Sequence, residues 1–485
     1  MGGGIGYFAQ RKFGFAETVF LSVLYFKGSQ PLTQKGNYDI IAQKDDKKIG
    51  ENEMKQFDFE AKNVPVLAST EVLVVGSGTA GISAAVASAR SGASTMIVER
   101  YGCLGGALTV SNVSSYSFSV NRFPETLSGL PKEIDERCRA YGASAPDYRG
   151  SGIFVDAELY KCLLDEWMEE TEIRVLLHTT VIGAYVEDGI LKGVFCQSKA
   201  GIGLILAERV IDASGDGDVA AAAGVPFEKR DPKKLQPVSV VFGIANVDVE
   251  KFEAHFQNPK GNGFATVFQA AADAGEWQST KRGGAWKILT PNGDIKSLNL
   301  TLIREVDGTD VFDLTNAEIE GRKQITHILY LFRKYGKEIG LGECQLRAIA
   351  PQLGLRETRR ICGEYRVTGD DVRERRDFED GIGRLICTID LYGDLKSSYR
   401  PIEAETFSVP YRALLPQGVD GLLVAGRCIS CDEVSFGAVR LMVGCALTGQ
   451  AAGTAAALSL REGVMPRTLD TKLLRAKLRS DGVIL

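Results

Sequence analysis

Residues 71–81 read EVLVVGSGTAG, and the stretch that follows is rich in Ala and Ser. The apolar run at its start predicts a buried strand. Gly76, Gly78 and Gly81 then predict a tight turn, a close approach of the backbone to a phosphate, and a close contact between helix and strand. Phosphates are favoured at the helix N-terminus because free N–H groups and the helix dipole attract anions. We therefore predict a dinucleotide site at this turn.

The next residues complete a β-α-β unit around the turn. Residues 80–91 predict a helix that Gly92 ends, residues 95–98 predict a second strand, and Glu99 follows that strand. A carboxylate at this position accepts hydrogen bonds from the ribose of a dinucleotide. The agreement of strand, helix, second strand and acid favours a binding site over an accidental glycine-rich turn.

Three glycine-rich junctions favour FAD over NAD as the ligand. A NAD-binding domain would continue after Glu99 with another helix, whereas residues 100–109 (RYGCLGGALT) form a loop. Residues 211–218 (IDASGDGD) and 421–427 (GLLVAGR) each contain a further strand-to-glycine junction. Junctions this far apart fit one extended ligand across a sheet, because FAD needs backbone contact at its adenosine, pyrophosphate and flavin. The predicted cofactor contacts in the first turn and these segments are Gly76, Gly78, Thr79, Ala80, Gly81, Glu99, Arg100, Gly105, Gly106, Ala213, Ser214, Gly215, Gly426 and Arg427.

The sequence resembles the FAD-dependent oxidoreductases of the glutathione-reductase-like fold, and within them the broad group simply called FAD-dependent oxidoreductases. The shared motifs are the glycine-rich loop at 99–106, RETRR at 356–360, VPYR at 409–412 and GQAAG at 449–453. The resemblance covers about residues 64–485. It implies an α/β fold with a Rossmann-type FAD-binding domain, built of a parallel sheet plus a β-meander, and an α+β substrate domain. It does not imply a reaction, because members act on very different substrates.

The resemblance implies a FAD-binding domain that is built from separate segments of the chain. Residues 1–63 are an N-terminal extension, which we favour over an export signal because no clean cleavage site follows its apolar run. The other predicted segments are a FAD-binding domain at 64–120, 151–226 and 411–485, a substrate-side excursion at 121–150, and a substrate domain at 227–410.

Hydrophobic patterning predicts the remaining elements. Residues 174–210 alternate and predict the β-meander, in which the resemblance places the backbone of Val181 against the adenine. Residues 156–171 predict a helix with core residues at helical spacing. In the substrate domain, strands are predicted at 238–243, 386–390 and 406–410, and helices at 248–256 and 316–335.

The flavin end is predicted from the helix that follows the last junction. A long helix beginning near Gly437 or Ala438 would direct its N-terminus at the flavin, where its partial charge stabilises negative charge. Arg427 flanks this region and would contact phosphate or flavin, and Arg440 would contact the flavin or a substrate anion. The alternative for both arginines is an ion pair with the acidic residues at 432–433.

An arginine cluster provides a candidate substrate site. Arg356 is placed at the end of a predicted strand, and together with Arg359 and Arg360 it could bind a carboxylate bidentately. The alternative is that these arginines pair with Glu357 and Glu364.

Proton-transferring groups are scarce because the chain has only three histidines, none of them near the glycine-rich loop. We therefore expect noncovalent FAD and assign acid–base roles to Tyr411 and Glu433. The predicted function is hydride transfer between flavin N5 and a small, anionic organic substrate, with Arg356, Tyr411, Glu433 and Arg440 as catalytic residues. The alternatives are an NAD(P)H-dependent flavin monooxygenase and an electron-transferring subunit of a larger complex.

Composition and missing motifs argue against other classes. A net charge of −5 without a sustained basic run disfavours nucleic acid as a partner. No CxxxxC pair follows the glycine-rich loop, which disfavours dithiol exchange, and no second GxGxxG follows a strand, which disfavours a built-in NAD(P)H domain. The ten scattered cysteines predict reduced thiols in a cytoplasmic protein without a metal site. We expect no membrane span and leave a homo-oligomer open.

Overall fold

The computed structural model describes residues 63–117, 126–146, 152–257, 263–277, 289–392 and 398–485. The predicted extension at 1–63 therefore lies outside the described residues except for its last residue. The strands are β1 (Val66–Val75), β2 (Thr95–Val98), β3 (Ser115–Ser117), β4 (Ser144–Pro146), β5 (Ile153–Val155), β6 (Arg174–Leu176), β7 (Thr180–Glu187), β8 (Ile190–Ser198), β9 (Gly201–Asp212), β10 (Phe227–Lys229), β11 (Phe242–Ala245), β12 (Ile295–Leu298), β13 (Gln345–Ile349), β14 (Arg359–Ile361), β15 (Gly381–Tyr392), β16 (Ser398–Pro410) and β17 (Leu422–Val424). The helices are α1 (Thr79–Arg90), α2 (Leu130–Ala140), α3 (Ala157–Glu170), α4 (Asp218–Ala222), α5 (Val249–Gln257), α6 (Ala265–Asp273), α7 (Val311–Tyr335), α8 (Gly369–Arg373), α9 (Glu433–Val439), α10 (Met442–Arg461) and α11 (Thr471–Ser480).

A seven-stranded sheet carries the glycine-rich junctions. Strands β6, β2, β1 and β9 are parallel neighbours in that order, and β17 pairs in parallel with the end of β9. Val72, Leu73 and Val74 of β1 are fully buried, as expected for a strand covered on both faces. The fold is therefore mixed α/β with a Rossmann-like sheet, and this part of the prediction is confirmed.

The predicted meander shares a strand with the parallel sheet. Strands β7 and β8 pair antiparallel with each other, and β8 pairs with the first half of β9. The last residues of β9 instead lie between β1 and β17. One long strand therefore joins the meander to the edge of the sheet where the junctions meet.

Helices α1 and α10 pack closely because glycines face the backbone of the neighbouring helix. A Cβ added at Gly449 or Gly453 would overlap the carbonyl oxygen of Ala80 or Ala84, respectively. Helix α10 also has the length and apolar composition of a membrane-crossing helix, the one such helix among the described residues, but 89% of its most apolar window is buried inside the protein.

The prediction of one long helix that begins near residues 437–438 is wrong in two respects. The helical region begins earlier, and it is divided into two helices. Helix α9 begins at Glu433, after a capping box in which Asp432 and Ser435 bond reciprocally to backbone N–H groups. It ends at Val439, with Arg440 as its C-cap, and Leu441 has extended backbone angles. The long helix α10 begins only at Met442.

A second hydrophobic core lies entirely within residues 238–353 and contains the buried side of α7. Strand β11 pairs with β12 and β13 on this side, and it begins later than the strand predicted at 238–243. The helices predicted at 248–256 and 316–335 correspond to α5 and α7. Strands β15 and β16 contribute instead to the first core, through residues such as Leu385 and Phe407. The predicted domain boundaries remain predictions.

Candidate active site

A continuous cavity lies at the carboxyl ends of β1, β2, β9 and β17. Its lining follows the three glycine-rich junctions and then continues into the segments around residues 239, 299, 354 and 391. Ligands of open α/β sheets bind at this edge, outside the carboxyl ends of the strands. The cavity therefore brings together sequence segments that are far apart in the chain.

The three glycines of the first turn differ in what surrounds them. Gly76 has a φ of +93°, and a Cβ there would lie 2.6 Å from the Ala213 carbonyl oxygen. A Cβ at Gly81 would overlap the carbonyl oxygen of Gly76, so Gly81 permits the close contact of helix and strand. At Gly78 a Cβ would meet nothing within 4 Å, because this residue faces the cavity. Gly81 itself does not line the cavity.

Glu99 is buried beside the turn and fixes its shape. Its Oε2 accepts hydrogen bonds from the backbone N–H and the hydroxyl of Ser77, at 2.8 and 2.6 Å. Its Oε1 accepts from the backbone N–H of Tyr101 at 3.1 Å. Each carboxylate oxygen can accept more than one hydrogen bond, so a ribose hydroxyl could still be bound.

The glycine-rich loop lies directly against the first turn. Gly105 donates its N–H to the Ser77 carbonyl oxygen at 3.0 Å. Gly106 has a φ of +53°, and a Cβ there would come within 2.7 Å of the Gly78 Cα. Glycine at position 106 therefore permits the close contact of the loop with the first turn.

The other two junctions meet at Arg427. This arginine donates to the Gly215 carbonyl oxygen at 2.8 Å, to the Leu355 carbonyl oxygen, and to Asp216 at 2.5 Å. The ion pair therefore forms with Asp216 and not with the acidic residues at 432–433. Gly426 donates its N–H to the Thr448 hydroxyl of α10 at 3.0 Å.

Most of the predicted cofactor contacts line this one cavity. The predicted residues in its wall are Gly76, Gly78, Thr79, Ala80, Glu99, Arg100, Gly105, Gly106, Val181, Ala213, Ser214, Gly215, Gly426 and Arg427. Gly437 and Ala438 do not line it, because they lie within α9. A Cβ at Gly437 would contact Ile389 of β15 at 2.8 Å. The residues of the α10 start that face the cavity are Leu441 and Met442.

Two of the four predicted catalytic residues lie outside the cavity. Tyr411 is 1% exposed and donates its hydroxyl proton to the Pro466 carbonyl oxygen at 3.0 Å. Burial raises the pKa of this phenol above its usual range. The side chain of Glu433 is half exposed and pairs with Arg230 at 2.8 Å. Neither side chain can contact a ligand in the cavity, and both predicted roles are wrong for this reason.

The predicted clamp of three arginines is also wrong. Arg359 pairs with Asp218 at 2.9 Å, and Arg360 pairs with Glu357 at 2.7 Å. Only Arg356 faces the cavity, from an irregular segment before β14 and not from the end of a strand.

Arg356 is held by neutral groups. Its Nη1 donates to the Pro237 carbonyl oxygen at 2.5 Å and to the Ser239 hydroxyl at 3.1 Å. Its guanidinium carbon lies 4.7 Å from the centre of the Tyr392 ring. No carboxylate within the described ranges lies within 4 Å of this guanidinium.

Arg440 lines the cavity but is already paired. Its Nη2 donates to the backbone carbonyl and the carboxylate of Asp390, at 2.5 and 2.8 Å. Asp390 and Tyr392 share one face of β15 and both line the cavity, as does Asn299. None of these three residues was predicted from the sequence. The spacing of two in a strand could have linked Asp390 with Tyr392, whereas nothing in the sequence singles out Asn299.

The nine cysteines that the structure describes are all free thiols. Cys428 and Cys431, which are three positions apart in the sequence, are both buried, and burial raises the pKa of both thiols. No group of three His, Cys, Asp or Glu side chains in the described part of the chain could hold a metal ion.

The residues present fit an adenine dinucleotide. Gly78 leaves open space where phosphates would lie, Gly106 lets the glycine-rich loop lie against this turn, and Glu99 supplies a carboxylate at the end of β2. The fold and site thus define an α/β protein that binds a dinucleotide across three strand ends. A sequence model of the FAD-dependent oxidoreductases matches residues 71–478, and the chain belongs to this family. It is an oxidoreductase, and its cofactor is FAD.

Solved structures with a similar fold are only distantly related. A geranylgeranyl bacteriochlorophyll reductase-like protein of Thermoplasma acidophilum is 14% identical, with a TM-score of 0.43 over 85% of this chain and 83% of that one. The anhydrotetracycline hydroxylase of Streptomyces rimosus is 12% identical, with a TM-score of 0.43 over 85% of this chain and 66% of the hydroxylase. The L-amino acid deaminase of Proteus vulgaris is 12% identical, with a TM-score of 0.42 over 86% of this chain and 99% of that one. No curated protein shows significant sequence similarity to the chain.

Proposed function

We propose that the chain is a dehydrogenase or reductase that transfers a hydride between flavin N5 and a small organic acid. FAD would be bound noncovalently in a domain of the glutathione-reductase-like class, with Gly78, Glu99 and Arg427 among the residues that hold it. The observation that carries the proposal is the continuation of the cavity to Arg356, a cation without a carboxylate partner among the described residues.

Arg356 is suited to bind and orient an anion. When bound, FAD supplies the atom that accepts or gives the hydride. The hydrogen bonds from Nη1 and the contact with Tyr392 fix the plane of the guanidinium, so its remaining N–H groups have a defined direction. A fixed guanidinium can bind a carboxylate bidentately and hold the substrate in one orientation.

Charge in this part of the cavity favours a monoanion. Arg356 and Arg440 contribute two positive charges, and Asp390 compensates the charge of Arg440. One uncompensated positive charge remains, on Arg356. Arg356 is partly buried, and this strengthens its attraction for an anion because the cavity screens charge less than bulk water does.

Asp390 is the acid–base group that we propose in place of Tyr411 and Glu433. Its carboxylate lines the cavity near Arg440, and it belongs to the same strand as Tyr392. A carboxylate at this position could accept a proton from a substrate hydroxyl or amine at an Oδ atom. Leu441 and Met442 add apolar surface that excludes water.

The test is anaerobic mixing of the purified flavoprotein with a panel of small acids and, after photoreduction, with the corresponding oxo acids. We expect at least one pair to change the flavin absorbance. Arg356→Gln should slow this change about ten- to a hundredfold at low substrate, as expected for a lost charge-assisted hydrogen bond. Arg373→Gln is the matched control, because Arg373 forms an exposed ion pair on α8.

The same experiment separates the alternatives. Rapid flavin reduction by NADPH with oxygen use that depends on substrate would replace the proposal with a monooxygenase. Failure of every acid and oxo acid to change the flavin would overturn hydride transfer with organic acids. Iron–sulfur absorbance in the native assembly would indicate an electron-transferring subunit.

We also propose that the protein is cytoplasmic, a location that its free thiols support. Size-exclusion chromatography of the full chain tests whether it forms a homo-oligomer, which the sequence leaves open. Limited proteolysis tests the discontinuous division into a FAD-binding domain and a substrate domain.

A further inference from the structure

The backbone on both sides of Arg356 is attached to the glycine-rich junctions. The carbonyl oxygen of Leu355 accepts a hydrogen bond from Arg427. Two positions after Arg356, the buried hydroxyl of Thr358 donates to the carboxylate of Asp216 at 2.8 Å. Asp216 also pairs with Arg427, at 2.5 Å. These contacts form a closed ring that begins and ends in the segment carrying Arg356.

A second chain of contacts also returns to Arg356. The buried carboxylate of Glu357 accepts a hydrogen bond from the backbone N–H of Gln236 at 3.1 Å. The side-chain oxygen of Gln236 accepts from the backbone N–H of Tyr392 at 2.8 Å. The Tyr392 ring in turn lies against the guanidinium of Arg356. The place of this ring therefore depends on a buried amide that is far from it in sequence.

Thr358 and Gln236 do not line the cavity themselves, whereas Arg356 and Tyr392 do. Any effect of the first two side chains on a ligand in the cavity must therefore pass through the residues that they hold. Such an effect is substantial where orientation matters, because a misplacement of about 1 Å can cost about a hundredfold in rate.

We propose that Thr358 and Gln236 are positioning residues that hold the Arg356 guanidinium in the orientation that binds a carboxylate. Thr358 fixes the backbone of the segment against the junctions, and Gln236 fixes the Tyr392 ring on the guanidinium. This inference rests on the proposed function, because both residues act through its anion-binding arginine. Their effect on acid binding should therefore vanish once that arginine is replaced.

Binding of two simple acids to the FAD-loaded full chain tests the inference without requiring turnover. The probes are acetate and benzoate, and their affinity is read from thermal shift and from perturbation of the flavin absorbance under anaerobic conditions. We expect at least one of them to bind, and Arg356→Gln should weaken that binding about ten- to a hundredfold.

Thr358→Val removes one hydroxyl and nearly keeps the shape of the side chain. It should weaken acid binding about three- to tenfold, as expected for one lost hydrogen bond. Thr358→Ser keeps the hydroxyl and should stay within about twofold of the native affinity. Gln236→Met removes the acceptor of the Tyr392 N–H and should weaken acid binding to a similar extent as Thr358→Val.

Two further measurements distinguish positioning from a general structural role. In the Arg356→Gln background, Thr358→Val should change acid affinity by less than about twofold. The affinity for FAD should also stay within about twofold in Thr358→Val, because Asp216 keeps its pair with Arg427. Thr454→Val is the matched control, since it removes a buried hydroxyl that donates within α10 to the Gln450 carbonyl oxygen at 2.8 Å.

The outcomes separate this inference from the proposed function. Native acid affinity in Thr358→Val or Gln236→Met, an undiminished effect in the Arg356→Gln background, or binding of neither acid would overturn the inference. An equal fall in FAD affinity would also overturn it, because loss of structure would then be the cause. Acid binding that depends on Thr358 through Arg356 supports it even if no acid changes the redox state of the flavin, and that result would overturn hydride transfer alone. Electron exchange with acids in a Thr358→Val protein of native acid affinity would leave hydride transfer standing and overturn the inference.

Discussion

Gly78 is a glycine for a different reason from its neighbours. Its φ of −62° and ψ of −179° are extended angles that any residue adopts, and a Cβ would touch nothing within 4 Å. Gly76 and Gly81, in contrast, are surrounded by backbone atoms of the protein itself. At the residue scale, packing of the chain explains two glycines of the turn, and only a ligand explains the third.

Gly78→Val should therefore release FAD without unfolding the protein. The valine would project into the space beside the phosphates, while its backbone angles stay allowed. Flavin absorbance per protein after purification and far-UV circular dichroism measure the two effects. Gly183→Val is the matched control, since Gly183 lies on β7 and a Cβ there makes ordinary contacts with Phe195 at 3.5 Å or more. A Gly78→Val protein with full flavin occupancy would show that FAD binds elsewhere.

Glu99→Ala should weaken FAD binding more mildly. Loss of one contact from a charged acceptor costs about 1.5–3 kcal/mol, or roughly ten- to a hundredfold in the dissociation constant. Part of the loss of affinity is indirect, because the backbone N–H and the hydroxyl of Ser77 lose the carboxylate that accepts their hydrogen bonds. Titration with FAD gives the affinity, and the melting temperature of the flavin-free variant isolates the Ser77 contribution. Glu99→Gln keeps one acceptor oxygen and should lie between the native chain and Glu99→Ala; unchanged affinity in Glu99→Ala would contradict the assignment.

Local sequence predicts the cofactor residues better than the catalytic ones. The glycine turn and Glu99 belong to one contiguous β-α-β unit, so their positions depend on a short stretch of chain. The roles given to Tyr411 and Glu433 depended on which way each side chain points, and tertiary packing decides that. Pro466 accepts the hydrogen bond of Tyr411, and Arg230 pairs with Glu433. Neither partner is near in sequence.

At the scale of elements, the crossing of α1 and α10 determines how closely two junctions approach. Gly449 and Gly453 lie against carbonyl oxygens of α1, and Thr448 on the preceding position of α10 binds the Gly426 N–H. The position of the third junction is thus set by the contact between these two helices.

Gly453→Ala should destabilise the protein, although Ala is favoured over Gly in a helix by about 1 kcal/mol. The added methyl group would overlap the Ala84 carbonyl oxygen, and overpacking of this kind costs about 1–3 kcal/mol. Chemical denaturation of the FAD-loaded protein measures the difference. A variant more stable than the native chain would mean that the two helices can separate without cost.

The sequence predicted a long helix after the third junction, but not where that helix begins. Residues 433–461 are nearly all compatible with a helix, so the sequence predicted one uninterrupted helix that begins near residues 437–438. The break at Leu441 coincides with the bonds of Arg440 to Asp390 on β15. That contact joins positions fifty residues apart, and no local pattern reveals it.

At the scale of the whole molecule, stability should depend on pH through Asp212 at the end of β9. This carboxyl is fully buried, and burial raises its pKa from 3.8 to about 6 despite hydrogen bonds from Ser214 and Ala220. Between these two values the folded state keeps a proton that the unfolded state has lost. The stability contributed by this group is therefore full below about pH 4 and is lost as the pH rises through 6.

Asp212→Asn isolates this effect, because the amide does not titrate. The variant loses a hydrogen bond and should be less stable than the native chain at pH 5. Its deficit in unfolding free energy should shrink at pH 7.5, where the native carboxyl also carries its charge in the folded state. Urea denaturation at both pH values measures the deficit. A deficit that grows from pH 5 to 7.5 would mean that the pKa of Asp212 is not raised by folding.

The crossing of α1 and α10 also has a consequence for biosynthesis. A ribosome releases β1 and α1 long before β17 and α10, because more than three hundred residues separate them. At about 5–20 residues per second this interval lasts on the order of tens of seconds. During it the nascent chain has the first glycine turn without the helix that α1 packs against. We therefore expect flavin to join the protein only near the end of translation or afterwards, so that flavin shortage would leave full-length apoprotein rather than stalled fragments.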